Sequence, residues 1–293
     1  CHNFIGKNEK KMADKAATDS MRNEINKIKI NGEVVIGEGE LDEAPMLYIG
    51  EKLGAGGILN LDIAVDPLEG TNFAAKNLPG ALSVISIAEK GNLFNAPETY
   101  MDKLAVSNKV PFDATDLDYP IERNIKNIAD SLNKDISNIT ACLLDRPRHQ
   151  KIIDKLNNMK VKMKLISDGD VSGALMVTEE KYNVDIFLGI GGGPEGVLAA
   201  SAIDAYKGKF QGRFIFDNDK DKKRANDMGI KDLNKKYELN EIISGDSVFC
   251  ATGITTGDLV SGIEILDNEF ISETLITHKS TGLKKIIKKK QNI

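Results

Sequence analysis

Three apolar runs in the second half of this chain, 139–144, 161–166 and 184–190, begin 22 and 23 residues apart, and a stretch with helical spacing follows each one. Helix 148–158 follows the first, a helix through Leu175 the second and helix 195–206 the third. A further helix, 121–133, precedes them with Ile121, Ile125, Ile128 and Leu132 on one face. Repeated strand–helix units restrict the chain to the α/β class, with a largely parallel sheet covered by helices. Ligands of such sheets bind beyond the carboxyl ends of the strands. Here those ends read RPRH, DGD and GGGPEG, each suited to a phosphorylated ligand or its metal.

The first half is less regular. Ala17, Met21, Ile25 and Ile28 recur at helical spacing, which predicts a helix over 16–29. Strands are expected over 33–36, ending in GEGE, over 61–65, and over 82–88, with a hairpin turn at Lys90-Gly91. Residues 214–246, rich in Lys, Asp and Asn, read as an exposed helical excursion without chemistry, and 248–258 as strand and turn. At 293 residues, two α/β subdomains are expected: 1–113 with most of a metal site, and 114–293 with sugar and phosphate contacts and Glu195.

Composition excludes several classes. Hydrophobic residues at 41% and charged residues at 28% describe a globular protein that needs no membrane, and no apolar run approaches the ~20 residues of a membrane helix. The net charge of −5 argues against nucleic acid, and the basic tail Lys284 to Lys290 reads as a solvated terminal segment. Cys1, Cys142 and Cys250 form no CxxC pair and read as free thiols of a cytoplasmic protein. His2, His149 and His278 are too scattered for zinc. The chain opens on Cys1-His2-Asn3 without a Met, as expected of a trimmed or partial N-terminus.

The stretch VDPLEGTN, Val65 to Asn72, carries the most chemistry. Asp66 at a strand end and Glu69 three residues on can converge on one cation. Pro67 suits the first turn of a helix. The N–H groups of Gly70, Thr71 and Asn72 would then be available to phosphate oxygens. The competing reading is a capped turn with solvated acids. Glu38 and Glu40 also follow a strand and could equally be surface acids. Asp14 reads most simply as an N-cap, and Glu195 is divided between helix capping and metal ligation. A donor set that is all oxygen selects Mg²⁺ or Mn²⁺. Arg146 and Arg148 suit a second phosphate or form a surface basic turn; Asp168 and Asp170 accept sugar hydroxyls or cap the next helix. Residues alone thus point to metal-dependent hydrolysis of a polyol or sugar phosphate with a second anion.

DPLEGT resembles the D-P-[I/L]-[D/E]-G-[T/S] pattern of the lithium-sensitive, magnesium-dependent sugar phosphatases. Together with VIGEGELDEAPMLYIGEKLG, NAPETYMDKLAV, RPRH, DGDV, GIGGGPEG and ATGITTGDL, the chain resembles their class II fructose-1,6-bisphosphatase branch, in order and over nearly its whole length. The resemblance implies a layered αβαβα sandwich and hydrolysis of fructose 1,6-bisphosphate to fructose 6-phosphate and phosphate. Some members also act on sedoheptulose 1,7-bisphosphate. Asp14, Glu38, Asp66, Glu69 and Glu195 would be the metal ligands, with Asp66, Glu69 and Thr71 catalytic and Thr71 orienting the attacking water. Substrate contacts would come from Glu69, Gly70, Thr71, Tyr100, Arg146, Pro147, Arg148, Asp168, Gly169, Asp170 and Gly192, in a homo-oligomer, dimer or tetramer. Arg146 departs from the Lys of many members, which keeps the charge and alters the geometry. An inositol monophosphatase and a catalytically silent sugar-phosphate sensor are the rival readings. The two arginines argue against the first, and the complete set of acids with Thr71 against the second.

Overall fold

The computed structural model of the chain describes residues 1–37 and 46–292. The chain opens with helix α1 (Lys10–Ile25), strands β1 (Asn31–Ile36), β2 (Lys52–Leu53) and β3 (Asn60–Glu69), helix α2 (Thr71–Lys76) and strand β4 (Leu82–Glu89). There follow β5 (Tyr100–Val106), α3 (Ile121–Leu132), β6 (Thr140–Leu144), α4 (Gln150–Asn158), β7 (Lys162–Ile166), α5 (Asp170–Leu175), β8 (Ile186–Gly192) and α6 (Gly193–Ala205). Next come β9 (Lys209–Ile215), α7 (Asp219–Asp227), β10 (Lys236–Glu238), α8 (Leu239–Ile242), and finally β11 (Ser247–Gly253), β12 (Glu264–Leu266), β13 (Glu269–His278) and β14 (Leu283–Asn292). The result is a mixed α/β protein with two sheets. No described helix is long and apolar enough to cross a membrane.

The chain forms two compact units, Cys1–Asn95 with Ile243–Ile293, and Ala96–Ile242. The expected break at 113/114 falls inside the second unit. Strands β11 to β14 extend the sheet of the first unit, because β11 pairs along its whole length with β4.

In the first unit the sheet runs β12-β13-β11-β4-β3-β1-β2, with β14 on β13. Strand β4 alternates as a half-buried strand should, with Leu82, Val84, Ser86 and Ala88 inward. Met21 and Ile25 of α1 pack with Val34, Ile63 and Val65, while Ala13 and Ala17 pack with Leu68 and Ala74. Helix α1 begins six residues before the expected start at 16, and the buried residue in that added stretch is Ala13, whose small side chain lets the helix approach closely without showing a strong apolar stripe. Ile28, counted in that stripe, lies beyond the helix and is 49% exposed. The turn at Lys90-Gly91 forms, and Gly91 (φ 90°) donates its N–H to buried Asp62 at 2.6 Å, but it does not open a hairpin. The next strand, β5, belongs to the other sheet. The basic tail is solvated, as expected, and it is also regular. It is strand β14, fully exposed, paired with β13 and with Lys290 3.6 Å from Glu269.

The second unit has the order β10-β9-β5-β8-β6-β7. Only β6 pairs in parallel, with β7 and β8; the remaining pairings are antiparallel, so the sheet is mixed and not largely parallel. The three strand–helix units are present, but β5 and β9 were hidden in the sequence. Each carries polar residues at buried positions, Lys103 on β5 and Lys209 and Gln211 on β9, which interrupt the apolar pattern. One face of the sheet presents Leu104, Val106, Ala141, Leu143, Ile186 and Leu188 to Ile125 and Ile128 of α3 and Ile153 and Leu156 of α4. On the other face Gly173 of α5 seats on Phe187, and Gly196 of α6 on Met101, where an added Cβ would approach to 3.0 and 2.7 Å.

The segment ATGITTGDL acts as a clasp in the first unit. The hydroxyl of Thr255 accepts the N–H of Ala81 (2.9 Å) and donates to the Leu78 carbonyl (2.7 Å), and Gly257 lies against Gly80 so closely that a Cβ would meet its Cα at 2.7 Å. Thr255→Val keeps the shape and strands both backbone groups. It should lower unfolding free energy by ~1–3 kcal/mol in urea titrations; an unchanged midpoint would show that the clasp contributes nothing.

Candidate active site

In the first unit, DPLEGT is the end of β3 and the start of α2. Asp66 pairs with Val84 and Glu69 with Leu82, so three steps on β3 oppose two on β4, a bulge. Pro67 fits there because it has no ladder N–H to contribute. Asp66 Oδ1 accepts the Leu68 N–H at 3.1 Å, a local turn that aims the strand end. Glu69 is buried at 3% exposure. Gly70 adopts φ 76°, ψ 46°, the left-handed conformation that starts α2 at Thr71. The Thr71 hydroxyl donates to the Leu68 carbonyl at 3.1 Å. The proline thus sits in a bulge and not in the first turn of the helix.

Asp14 lies within α1, not at its N-cap, which is Glu9. Its Oδ1 is buried without a hydrogen-bond partner, and burial pushes its carboxyl up from the ordinary range. A hard divalent cation would satisfy such an oxygen, so the donor chemistry of Asp14 fits a metal-dependent phosphatase. Glu38 and Glu40 lie outside the described residues. Among the described residues no three Asp, Glu, His or Cys side chains gather as one metal-holding group.

The second unit draws its expected residues together in pairs. The Arg148 guanidinium lies 4.8 Å over the Tyr100 ring and donates from Nε and Nη2 to the Ile190 carbonyl, at 3.0 and 2.8 Å. Arg146, extended (φ −137°) as the residue before Pro147 must be, comes within 3.9 Å of Asp168. Gly169 takes φ 79° ahead of α5, whose first residue is Asp170. Asp170 Oδ2 meets the Nζ of Lys103, which also donates to the Gly192 carbonyl at 2.7 Å. Glu195 stands in the first turn of α6 behind Pro194. Burial pushes its carboxyl up, the Asp170 carboxylate adds to this, and the Lys103 cation opposes it. The glycines of GGGPEG make room for these groups. A Cβ on Gly191 would sit 2.0 Å from Asp170 Oδ2, and one on Gly192 1.8 Å from Glu195 Oε2.

Two residues here escaped sequence reasoning. Lys103 lies inside YMDKLAV, where only its inward register, two residues from Met101, marks it. His149 follows Arg148 and is fully buried. Its Nε2 accepts the Ile190 N–H (2.7 Å), so its Nδ1 carries the proton and donates to the Leu144 carbonyl (2.6 Å). The neutral ring therefore ties the end of β6 to the end of β8, and Ile190 holds His149 by its N–H and Arg148 by its carbonyl. Gly189 (φ 124°) leaves space for the ring, which a Cβ would approach to 2.9 Å.

Burial, reinforced by the Arg148 cation, lowers the His149 pKa from its ordinary 6.5, against the pull of the Leu144 carbonyl and Asp102. Because the folded value is the lower one, the ring's contribution to stability is complete above 6.5 and is lost as pH falls below it through the folded value. Melting temperature should decline over that interval in the parent and decline less in His149→Gln. Identical pH slopes would assign the effect to other groups.

Residues 1–291 match the family model described as bacterial fructose-1,6-bisphosphatase, glpX-encoded. The chain is 41% identical over 300 residues to the fructose-1,6-bisphosphatase class 2 of Haemophilus influenzae, covering 97% of this chain and 90% of that protein. It is 39% identical over 300 residues to the fructose-1,6-bisphosphatase 1 class 2 of Escherichia coli K12, covering 97% and 89%. Against the D-fructose 1,6-bisphosphatase class 2/sedoheptulose 1,7-bisphosphatase of Synechococcus sp. (strain JA-2-3B'a(2-13)) the identity is 39% over 298 residues, covering 93% and 86%. With the bulged DPLEGT turn and the glycine-lined GGGPEG strand end both in place, the chain belongs to the bacterial, glpX-type class 2 fructose-1,6-bisphosphatases.

Proposed function

We infer that this chain hydrolyses fructose 1,6-bisphosphate to fructose 6-phosphate and phosphate. The observation that carries the reading is the family match along residues 1–291. The divalent metal would be Mg²⁺ or Mn²⁺, held by Asp14, Glu38, Asp66, Glu69 and Glu195, a set supported by oxygen-only chemistry and by the unsatisfied, buried oxygen of Asp14. When bound, such an ion polarises a phosphoryl oxygen and makes hydroxide accessible from water at neutral pH. The protein's own groups do the rest. Thr71 donates its proton to the Leu68 carbonyl, which leaves its oxygen able to accept a hydrogen bond from the attacking water. The N–H groups at the start of α2 suit phosphate oxygens. Arg146 and Arg148 supply positive charge for the phosphate that stays, and Asp168 and Asp170 suit the sugar hydroxyls. A heptulose bisphosphate has the same two anions, and a relative bears that activity in its name; we extend it to this chain as a second substrate. Localisation in the cytoplasm and assembly as a homo-oligomer belong to the same proposal.

Phosphate release from a panel of sugar mono- and bisphosphates, with Mg²⁺ or Mn²⁺ supplied, tests the reading. Fructose 1,6-bisphosphate should be turned over best, and exhaustive chelation should abolish the rate; undiminished activity after chelation would remove the metal from the account. Thr71→Ala should lower kcat by ~10²-fold or more, the scale of a positioned proton-transfer group. Thr71→Ser should recover much of that rate, with KM and melting temperature little changed in both. If Thr71→Ala keeps its kcat but melts earlier, the hydroxyl only caps the turn, whose loss costs about 1 kcal/mol.

A further inference from the structure

Lys103 is the most deeply buried cation of the second unit, 2% exposed, and it stands on β5 where an apolar residue would be the default. Its register places it on the face that carries Met101, under α6. The stem packs against Gly196, where a Cβ would lie 3.4 Å from Lys103 Cδ. The ammonium reaches Asp170 at the start of α5 and the Gly192 carbonyl, which caps α6 (2.7 Å). It also lies 3.0 Å from where a Cβ of Gly191 would be, so the glycine is what admits it. One side chain on β5 thus holds the first residue of α5 and the N-cap of α6, two helix starts that come from different strand ends. A merely structural lysine needs any two acceptors; this one takes two that the family resemblance assigns to substrate.

We infer that Lys103 is a positioning residue for substrate recognition: it fixes the Asp170 carboxylate and the Gly192 carbonyl at the spacing that the sugar of the bisphosphate requires. The inference rests on the fructose 1,6-bisphosphatase reading. Asp170 presents Oδ2 to Lys103, which orients the carboxylate and sets how its other oxygen faces. Gly192 cannot turn its carbonyl away without losing the same ammonium. Substrate affinity therefore depends on Lys103 without contact between the two. Interactions made equally in the ground state and the transition state appear in KM and not in kcat.

The test compares the parent with Lys103→Met, which keeps the stem and removes the charge, and Lys103→Arg, which keeps the charge and moves the donors. Phosphate release from fructose 1,6-bisphosphate is measured at saturating Mn²⁺, together with the melting temperature of each protein. Lys103→Met should raise KM by about tenfold or more, the scale of losing hydrogen bonds to a charged group, while kcat stays within about threefold. Lys103→Arg should show the same split with a smaller rise in KM, and it carries the test alone should Lys103→Met fail to fold. An unchanged KM, or a fall in kcat at constant KM, in a folded variant would overturn the assignment. Absence of turnover in the parent would instead remove the reading beneath it.

Discussion

Moving an ionised carboxylate out of water costs several kcal/mol unless a cation or a set of donors replaces the lost solvent, and this chain buries Asp62, Glu69, Asp170 and Asp185. The ways in which it does so shape both units. Asp62 is met by the backbone N–H of Gly91, which fixes the turn after β4. Asp185 takes Lys134 at 2.6 Å and the N–H of Thr140 at 2.9 Å, tying the approach to β8 to the start of β6. Asp170 takes Lys103, and with it the start of α5 is anchored to β5. Asp14 differs from these three, because one of its oxygens is buried without a partner.

The α/β class was legible in the sequence, and the pairing order within its sheets was not. The candidate stretches RPRH, DGD, GGGPEG and DPLEGT stood out because each closes an apolar run; glycine, proline and aspartate alone would mark no more than a turn. The pairing of β5 and β9 was not legible, since Lys103, Lys209 and Gln211 occupy inward positions and break the alternation on which strand recognition relies. Lys209 is satisfied by the carbonyls of Phe112 and Thr115, a long-range arrangement that no local pattern records. The same cause hid the mixed character of the second sheet. The start of α1 was missed for the opposite reason, as Ala13, the buried residue of its first turns, is too small to mark an apolar face.

Glycine placement links these observations. In GGGPEG the residues act less as hinges than as vacated volume: Gly191 and Gly192 leave the space that the Asp170 and Glu195 carboxylates need, while Gly193 lets α6 begin against the Thr99 carbonyl, to which it donates at 2.8 Å. Gly189 does the same for the ring of His149. Along β8, then, the absence of side chains at the strand end is what allows acids, a histidine and a lysine from four other elements to converge on one backbone.

The sheet of the first unit is built from two stretches separated by the entire second unit. Its central pairing joins β4 to β11, and a bridge between Leu93 and Ile243 brings together the two points where the chain leaves and comes back. During synthesis from the N-terminus, residues 96–242 are contiguous and can complete their own contacts as soon as they emerge. Strand β4 must meanwhile wait, its outer edge unpaired, until β11 has been made about 160 residues later. The unit that carries DPLEGT is thus the last to close, and a nascent chain cut short before Ser247 would leave the edge of β4 unpaired.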